Sequence, residues 1–354
     1  MIYAETANGL KIKAGDASNQ QSFRCPGCKS PVFLKQGQLK IAHFSHYQQS
    51  DCRQFSEGET ATHLLGKEVI YEWLVNQGLS VELEAWLPKL QQRPDLLVTT
   101  VEGNQIAIEY QCSPISYGDL LKRTSGYEEN GYQVIWICGP NYQLKKRLKN
   151  SHYLFLRHHK RRFHFLYFDS QSRHLYVYDH VHYNQHNHLV AVCYRYSLNS
   201  LSWQVFKELY QTGSRRTCSD QQDKKRYYLS DYKRMALLRQ QGEENKAFLE
   251  QLYCNRHSLA DLPNCLFYLP TKTLCLQESA YIWKYHVLCE FEKKGSITLS
   301  DWTIILETLT VFQMPFISKE VLEQPFQTFM ADLVALGYCA GVAENVWQQK
   351  KHFF

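Results

Sequence analysis

A chain of 354 residues is too long for one ordinary domain and suits two or three. Its 44% hydrophobic content is enough to bury a core, which argues against disorder. No apolar run approaches the roughly 18 residues of a membrane-spanning helix, so no membrane role is expected. The net charge of +6 is modest, but its distribution is uneven: Asn130–Phe168 contains no Asp or Glu, while Lys145, Lys146, Arg147, Lys149, Arg157, Lys160, Arg161 and Arg162 supply eight positive charges. A face of that kind fits a phosphate backbone, and equally a solvated helix and strand edge. The 24 Tyr are compatible with base stacking, although half-buried core positions account for most tyrosines in any protein. Twelve Cys without a leader-like apolar segment predict reduced thiols, a cytoplasmic setting and a metal site.

Residues 1–57 are short-stranded and rich in turns, with a hairpin over Val32–Ala42 turning at Gly37. Cys25-Pro26-Gly27-Cys28 is a CxxC knuckle, followed by His43, His46 and Cys52. Structural zinc takes four Cys or His ligands in a tetrahedron. The expected set is Cys25, Cys28, His46 and Cys52, with His43 as the alternative ligand, giving a zinc-ribbon-like β region whose Zn²⁺ holds together a segment too small for its own core.

Residues 58–195 alternate helix and strand. A helix is expected over Glu59–Asn76, with Leu64, Val69, Ile70 and Trp73 on its apolar stripe and Glu59, His63 and Lys67 at i, i+4 and i+8 on a polar one. Strands follow at Ser80–Trp86, Asp95–Val101 and Gln105–Gln111, then a helix over Tyr117–Asn130 and a buried strand over Tyr132–Cys138. A hairpin over Phe163–Phe168 and His174–Tyr178 completes a mixed sheet flanked by helices. Residues 196–354 read as mainly helical, in the stretches Trp203–Tyr210, Asp231–Gln241, Ala280–Lys293 and Leu299–Leu309.

The chemistry concentrates in the hairpin that carries Asp95 and Glu109. The turn at Glu102-Gly103-Asn104 pairs residues whose numbers sum to about 205 or 206, placing Glu109 beside Leu96 or Leu97 and within a step or two of Asp95. Strand alternation puts Glu109 and Gln111 on one face and Ile106, Ile108 and Tyr110 on the other. Asp95, Glu109 and Gln111 could then converge on Mg²⁺ or Mn²⁺, an ion that prefers hard oxygen ligands and activates water at a phosphodiester. Alone, the same pattern is also what a hairpin with one solvated face would show.

Taken together, Glu59-x3-His63-x3-Lys67, Gln92-Arg93-Pro94-Asp95, Ile108-Glu109-Tyr110-Gln111-Cys112-Ser113, Arg123-x3-Tyr127 and Val134-Ile135-Trp136-Ile137 resemble the competence protein CoiA family of Gram-positive bacteria. The resemblance implies a PD-(D/E)XK nuclease-like fold in a protein that acts on DNA taken up during transformation, at the recombination step. It implies Asp95 and Glu109 as metal ligands and Glu59 as an additional first-helix acid. Gln111 stands where that superfamily usually has Lys, and Gln brings no charge to orient water or stabilise the transition state. Either Lys67 or His63 takes that part, or cleavage is slow, or the site only binds. Arg93, Arg123 and the basic stretch, with Lys145, Lys146, Arg147, Lys160, Arg161 and Arg162, are the expected DNA contacts. Single-stranded or branched DNA and a recombinase of the RecA type are the expected partners, and an oligomer is compatible with the sequence. The competing reading is a DNA-holding module without catalysis.

Overall fold

The computed structural model describes residues 1–37, 40–47, 60–184, 186–214, 229–230, 234, 236, 242–260 and 262–354. Two compact units result: Met1–Lys145 with His164–Asp179 and Cys193–Arg215, and Lys146–Phe163 with His180–Val192 and Arg216–Phe354. Among the described residues no helix is long and apolar enough to cross a membrane.

The first unit begins with β1 (Tyr3–Thr6), β2 (Lys11–Lys13), β3 (Phe23–Arg24), β4 (Pro31–Gly37) and β5 (Lys40–His46), an antiparallel sheet in the order β2-β1-β3-β4-β5. Ala4, Phe23, Val32, Leu34 and Phe44 form its small core. The expected hairpin is present as β4–β5. The preceding strands were not anticipated, because runs of two to four residues carry no readable periodicity.

Helix α1 (Ala61–Asn76) starts where the Thr60 hydroxyl accepts the His63 backbone N–H, at 3.2 Å. Glu59 and Cys52 lie outside the described residues. Strand β6 (Ser80–Leu83) stops three residues before the expected end, because Glu84 adopts a φ of +51° and leaves the extended conformation. Strands β7 (Leu96–Thr99) and β8 (Gln105–Gln111) form the central hairpin. Helix α2 (Tyr117–Glu128) is the crossover to β9 (Gln133–Cys138), which runs parallel to β8 as such a connection permits. Beyond α3 (Asn150–Tyr153) and β10 (Arg157–His159), the chain adds β11 (Arg162–Asp169), β12 (His174–Tyr183), β13 (Leu189–Ser197) and α4 (Trp203–Thr212). The mixed sheet runs β13-β12-β11-β9-β8-β7-β6, with β10 paired to β11.

Val69, Ile70 and Trp73 of α1 and Trp203, Phe206 and Tyr210 of α4 belong to one core that also includes the Ile106, Ile108 and Tyr110 face of β8. The Trp73 indole donates to Leu201 O at 2.8 Å. Glu109 points to the opposite face, under α2, so β8 is buried on both sides and not solvated on one. Gly66 lets α1 approach the sheet closely: a Cβ there would fall 1.9 Å from Tyr110 Cε1. The Tyr110 ring is pinned in turn by its hydroxyl, which donates to Phe168 O at 3.1 Å.

In the second unit, α5 (Glu243–Cys254), α6 (Ala280–Lys294), β14 (Ser296–Thr298), α7 (Leu299–Glu307), α8 (Gln324–Ala335), β15 (Cys339–Ala343) and β16 (Val346–Gln349) pack around Trp283, Trp302, Phe326 and Phe329. The region is mainly helical as expected, and the small sheet β14-β16-β15 is an addition. From α6 onward the order helix–strand–helix–helix–strand–strand is the connectivity of a winged helix. The Asp231–Gln241 helix read from the sequence falls mostly outside the described residues.

The Gly66 contact gives a direct test. Gly66→Ala improves helix propensity by about 1 kcal/mol, but it forces the pinned Tyr110 ring away at a cost of about 1–3 kcal/mol. A net loss of stability is expected, read as a lower urea midpoint. A midpoint equal to or above that of the parent would show that the close approach is not a constraint.

Candidate active site

Asp95 sits just before β7, and the register Leu96↔Ile108 and Leu97↔Ala107 sets it across from Glu109. The pairing sum is 204, one or two below expectation. The cause is the turn: Thr100 N–H bonds Asn104 O and Gly103 N–H bonds Thr100 O, both at 2.9 Å, so Glu102 is the tip. Gly103 has a φ of +84°, which glycine adopts without strain. The slip brings the two residues level with each other in the register instead of a step apart.

Asp95 is surrounded by donors. Its Oδ2 accepts the Tyr110 backbone N–H at 2.8 Å and lies 3.1 Å from His63 Nε2, while Lys67 Nζ stands 3.7 Å from Oδ1. His63 and Lys67 reach it together because they are one helical turn apart on α1. Burial works against ionisation of Asp95, yet His63, Lys67 and the Tyr110 amide hold its carboxyl well below the usual range.

Glu109 is 3% exposed. Its Oε1 accepts from Arg123 Nη2 at 2.5 Å and from the Tyr127 hydroxyl at 2.7 Å, and among the described residues no hydrogen bond engages Oε2. Burial raises the Glu109 pKa and nearby Asp95 adds to this, outweighing Arg123. Arg123 and Tyr127 are supplied by successive turns of α2, the helix capped by the Ser116 side chain.

Glu84 is the residue that sequence reading missed. Its Oε1 bonds Lys67 Nζ at 2.5 Å, and its Oε2 bonds Arg93 Nη1 at 3.1 Å and the backbone N–H groups of Ile2 and Tyr3 at 2.8 and 3.3 Å. Burial opposes its charge, but Arg93 and Lys67 prevail and hold its pKa well below the ordinary value. In the sequence Glu84 is one polar residue two places after Glu82, on what looks like a solvated strand face. The positive φ that turns it inward leaves no compositional trace.

The other expected site residues divide into two groups. Gln111 Nε2 donates to Ser113 O at 2.6 Å, a local bond at the end of its own strand. Arg93 and Arg123, read as phosphate contacts, are engaged by Glu84 and Glu109. Lys145, Lys146, Arg147, Lys160 and Arg161 are exposed, and Arg162 is half-buried beside His180. All of these except Lys145 belong to the second unit, whereas Asp95 and Glu109 belong to the first.

The two carboxylates present hard oxygens from facing positions, and Mg²⁺ commonly takes one or two protein carboxylates and completes its shell with water and phosphate. Asp95 and Glu109, set across from each other by the strand register, are donors of that type. Among the described residues, a group of three His, Cys or acidic side chains able to hold a metal occurs at Cys25, Cys28 and His46, whose ligand atoms lie within 4.8 Å of one another. Cys28 Sγ and His46 Nε2 are 3.4 Å apart, close to the roughly 3.5 Å separation of S and N on one tetrahedral zinc. Burial pushes the Cys25 thiol up to about 12, so without a cation it stays protonated. His43 is three residues from His46 on β5 and so falls on the other face of that strand.

Comparison with known proteins places these features. Residues 59–211 match the family model described as competence protein CoiA, nuclease-like domain, and residues 8–55 match competence protein CoiA, N-terminal domain. Competence protein CoiA of Bacillus subtilis (strain 168) is 37% identical over 134 residues, which cover 38% of this chain and 35% of that protein. The matched part thus spans about a third of that relative's length. No solved structure matches at a significant level.

Two expectations follow for the buried charges. Lys67→Met leaves Glu84 and Asp95 without their shared cation and should cost about 3–5 kcal/mol in urea unfolding; a loss under 1 kcal/mol would show that the ammonium is dispensable. Because the folded-state pKa values of Glu84 and Asp95 are depressed, their stabilisation is complete above the ordinary carboxylate range, begins to fall within it and is lost as pH drops on through the lower folded-state values. Glu109, with a raised pKa, contributes in the opposite sense. The urea midpoint should therefore drop between neutral pH and about 3, and less steeply in Glu84→Gln.

Proposed function

Since this chain belongs to the competence protein CoiA family and carries both its N-terminal and its nuclease-like domain, we propose that it is a divalent-metal-dependent nuclease of the PD-(D/E)XK type that processes internalised DNA during recombination in transformation. The observation that supports this most is the level placement of Asp95 and Glu109, with His63 and Lys67 beside Asp95. A bound Mg²⁺ or Mn²⁺ would supply charge to the scissile phosphate and make its bound water more acidic.

Asp95 and Glu109 are the residues that would hold that ion, with Glu59 retained as an additional acid. Lys67 supplies the positive charge that Gln111 does not: its buried ammonium is fixed by Glu84, lies 3.7 Å from Asp95 and helps to keep that carboxylate ionised as a ligand. His63, held against Asp95, can accept the proton of the attacking water. Arg123 keeps Glu109 oriented, with its guanidinium also 3.3 Å from Arg93 O. Lys145, Lys146, Arg147 and Arg162 bring positive charge to the DNA backbone. Cys25, Cys28 and His46 would hold a Zn²⁺, with Cys52 the fourth ligand expected from the sequence, and the ion would tie the N-terminal sheet together. A recombinase of the RecA type in the cytoplasm is the proposed partner, and the segments 1–57, 58–195 and 196–354 are the proposed divisions of labour. The second reading, a DNA-holding module, draws on one observation: each carboxylate is already matched by a cationic side chain, Lys67 beside Asp95 and Arg123 on Glu109.

Incubation of single-stranded, duplex and branched DNA with Mg²⁺ or Mn²⁺ separates the two. Cleavage should fall at least 100-fold in Asp95→Asn and in Glu109→Gln, about the loss seen when a transition-state charge contact is removed, while Gln111→Ala stays near the parent. A parent chain that binds DNA and cuts none of the three substrates would leave the module standing and sink the nuclease.

A further inference from the structure

Strands β10 and β11 are joined by two residues, Lys160 and Arg161, and both have left-handed backbone angles, with φ of +46° and +68°. Positive φ at both central positions is the type I′ turn, which matches the twist of a two-residue hairpin and is ordinarily built from Asn-Gly. A side chain in that conformation crowds the following carbonyl. Here two long cations occupy positions where the backbone alone would select small residues.

Both side chains are exposed, and among the described residues neither has a hydrogen bond or ion pair. The flanking residues are Arg157, His158, His159 and Arg162, and no acidic residue occurs between Asn130 and Phe168. Arg162 Nη1 lies 3.3 Å from His180 Nε2 at the base of the hairpin. Backbone strain persists where something other than folding stability selects the residue. Unneutralised charge on a strained tip is that situation.

The same unit contains the winged-helix element, the obvious rival for a nucleic-acid contact. The exposed positions of α8, Gln327, Thr328, Ala331, Val334 and Ala335, carry no charge, and Glu344 sits in the turn between β15 and β16. An uncharged helix face and an acidic wing lack the footprint that a phosphate backbone requires. The hairpin has it.

The geometry points to the Lys160–Arg161 tip as a DNA-contacting finger whose two cations engage the sugar–phosphate backbone. The assignment rests on the DNA-processing function proposed above and adds a contact in the unit that does not hold Asp95 and Glu109.

The test is the full chain with Lys160→Asn and Arg161→Gly together, the residues this turn prefers, beside a charge-conserving exchange of Lys160→Arg with Arg161→Lys. Anisotropy of a short fluorescent duplex and of its isolated strand, without added Mg²⁺ or Mn²⁺, reads binding apart from cleavage. In the Asn-Gly variant the unfolding midpoint should stay level or rise while affinity falls about tenfold or more. The slope of log K against log salt should become shallower by roughly 1.8 on the duplex and 1.4 on the single strand, two phosphate contacts at about 0.9 or 0.7 each. The charge-conserving variant should bind like the parent. Parent affinity and slope in the Asn-Gly variant overturn the finger, and so does a lowered midpoint, which would mean that the two residues serve the fold. A parent chain that binds neither DNA overturns the DNA-processing reading itself.

Discussion

One ammonium group organises the first unit. Lys67 is fully excluded from solvent, and its Nζ lies 2.5 Å from Glu84 and 3.7 Å from Asp95. A buried ion pair gains little over a well-packed apolar pair, but losing one partner strands the other at a cost of several kcal/mol. The pair therefore acts as a demand for geometry. Helix α1 must present Lys67 at one height on the sheet, Glu84 must turn inward against its backbone preference, and the β1 amides must arrive to complete the Glu84 shell. The candidate chemistry is built on those requirements, since the same ammonium is the cation nearest Asp95 Oδ1.

The N-terminal sheet is consequently part of the site's foundation and more than an appendage. Lys11 pairs with Glu82 at 2.7 Å and Lys13 with Glu68 at 3.2 Å, on either side of the Glu84 contact. Phe44 N–H bonds Met1 O, so β5, the strand with His46, is one hydrogen bond away from the segment that grips Glu84. A metal at Cys25, Cys28 and His46 would stiffen the strand system that supports Lys67.

Much of the central region could be read from sequence because its elements are long or sharply punctuated. Helix α1 shows its apolar stripe over sixteen residues, and β8 and β9 are bounded by Gly103, Gly131 and Gly139. The turn arithmetic came within two residues of the register and so found Asp95 and Glu109 together. Glu84 was hidden because its role depends on one backbone angle. Arg93 and Arg123 looked like surface cations because a guanidinium that faces a buried carboxylate has the same sequence signature as one that faces phosphate. The winged-helix strands were too short for alternation to register, and β14 finds its partner β16 more than forty residues away.

Helix α4 adds a temporal constraint. Trp203 and Phe206 cover the Trp73 ring, with centroids 6.0 and 5.4 Å away, and the Tyr210 hydroxyl accepts the Trp136 backbone N–H. A chain emerging from the ribosome has completed β9 at Cys138, yet the covering helix ends its contribution only at Tyr210. At about 5–20 residues per second, the apolar face of the nascent sheet waits some 4–14 s for its cover. Synthesis rate and chaperone supply thus become determinants of yield for this protein, and slow codons between those two points would lengthen the exposure.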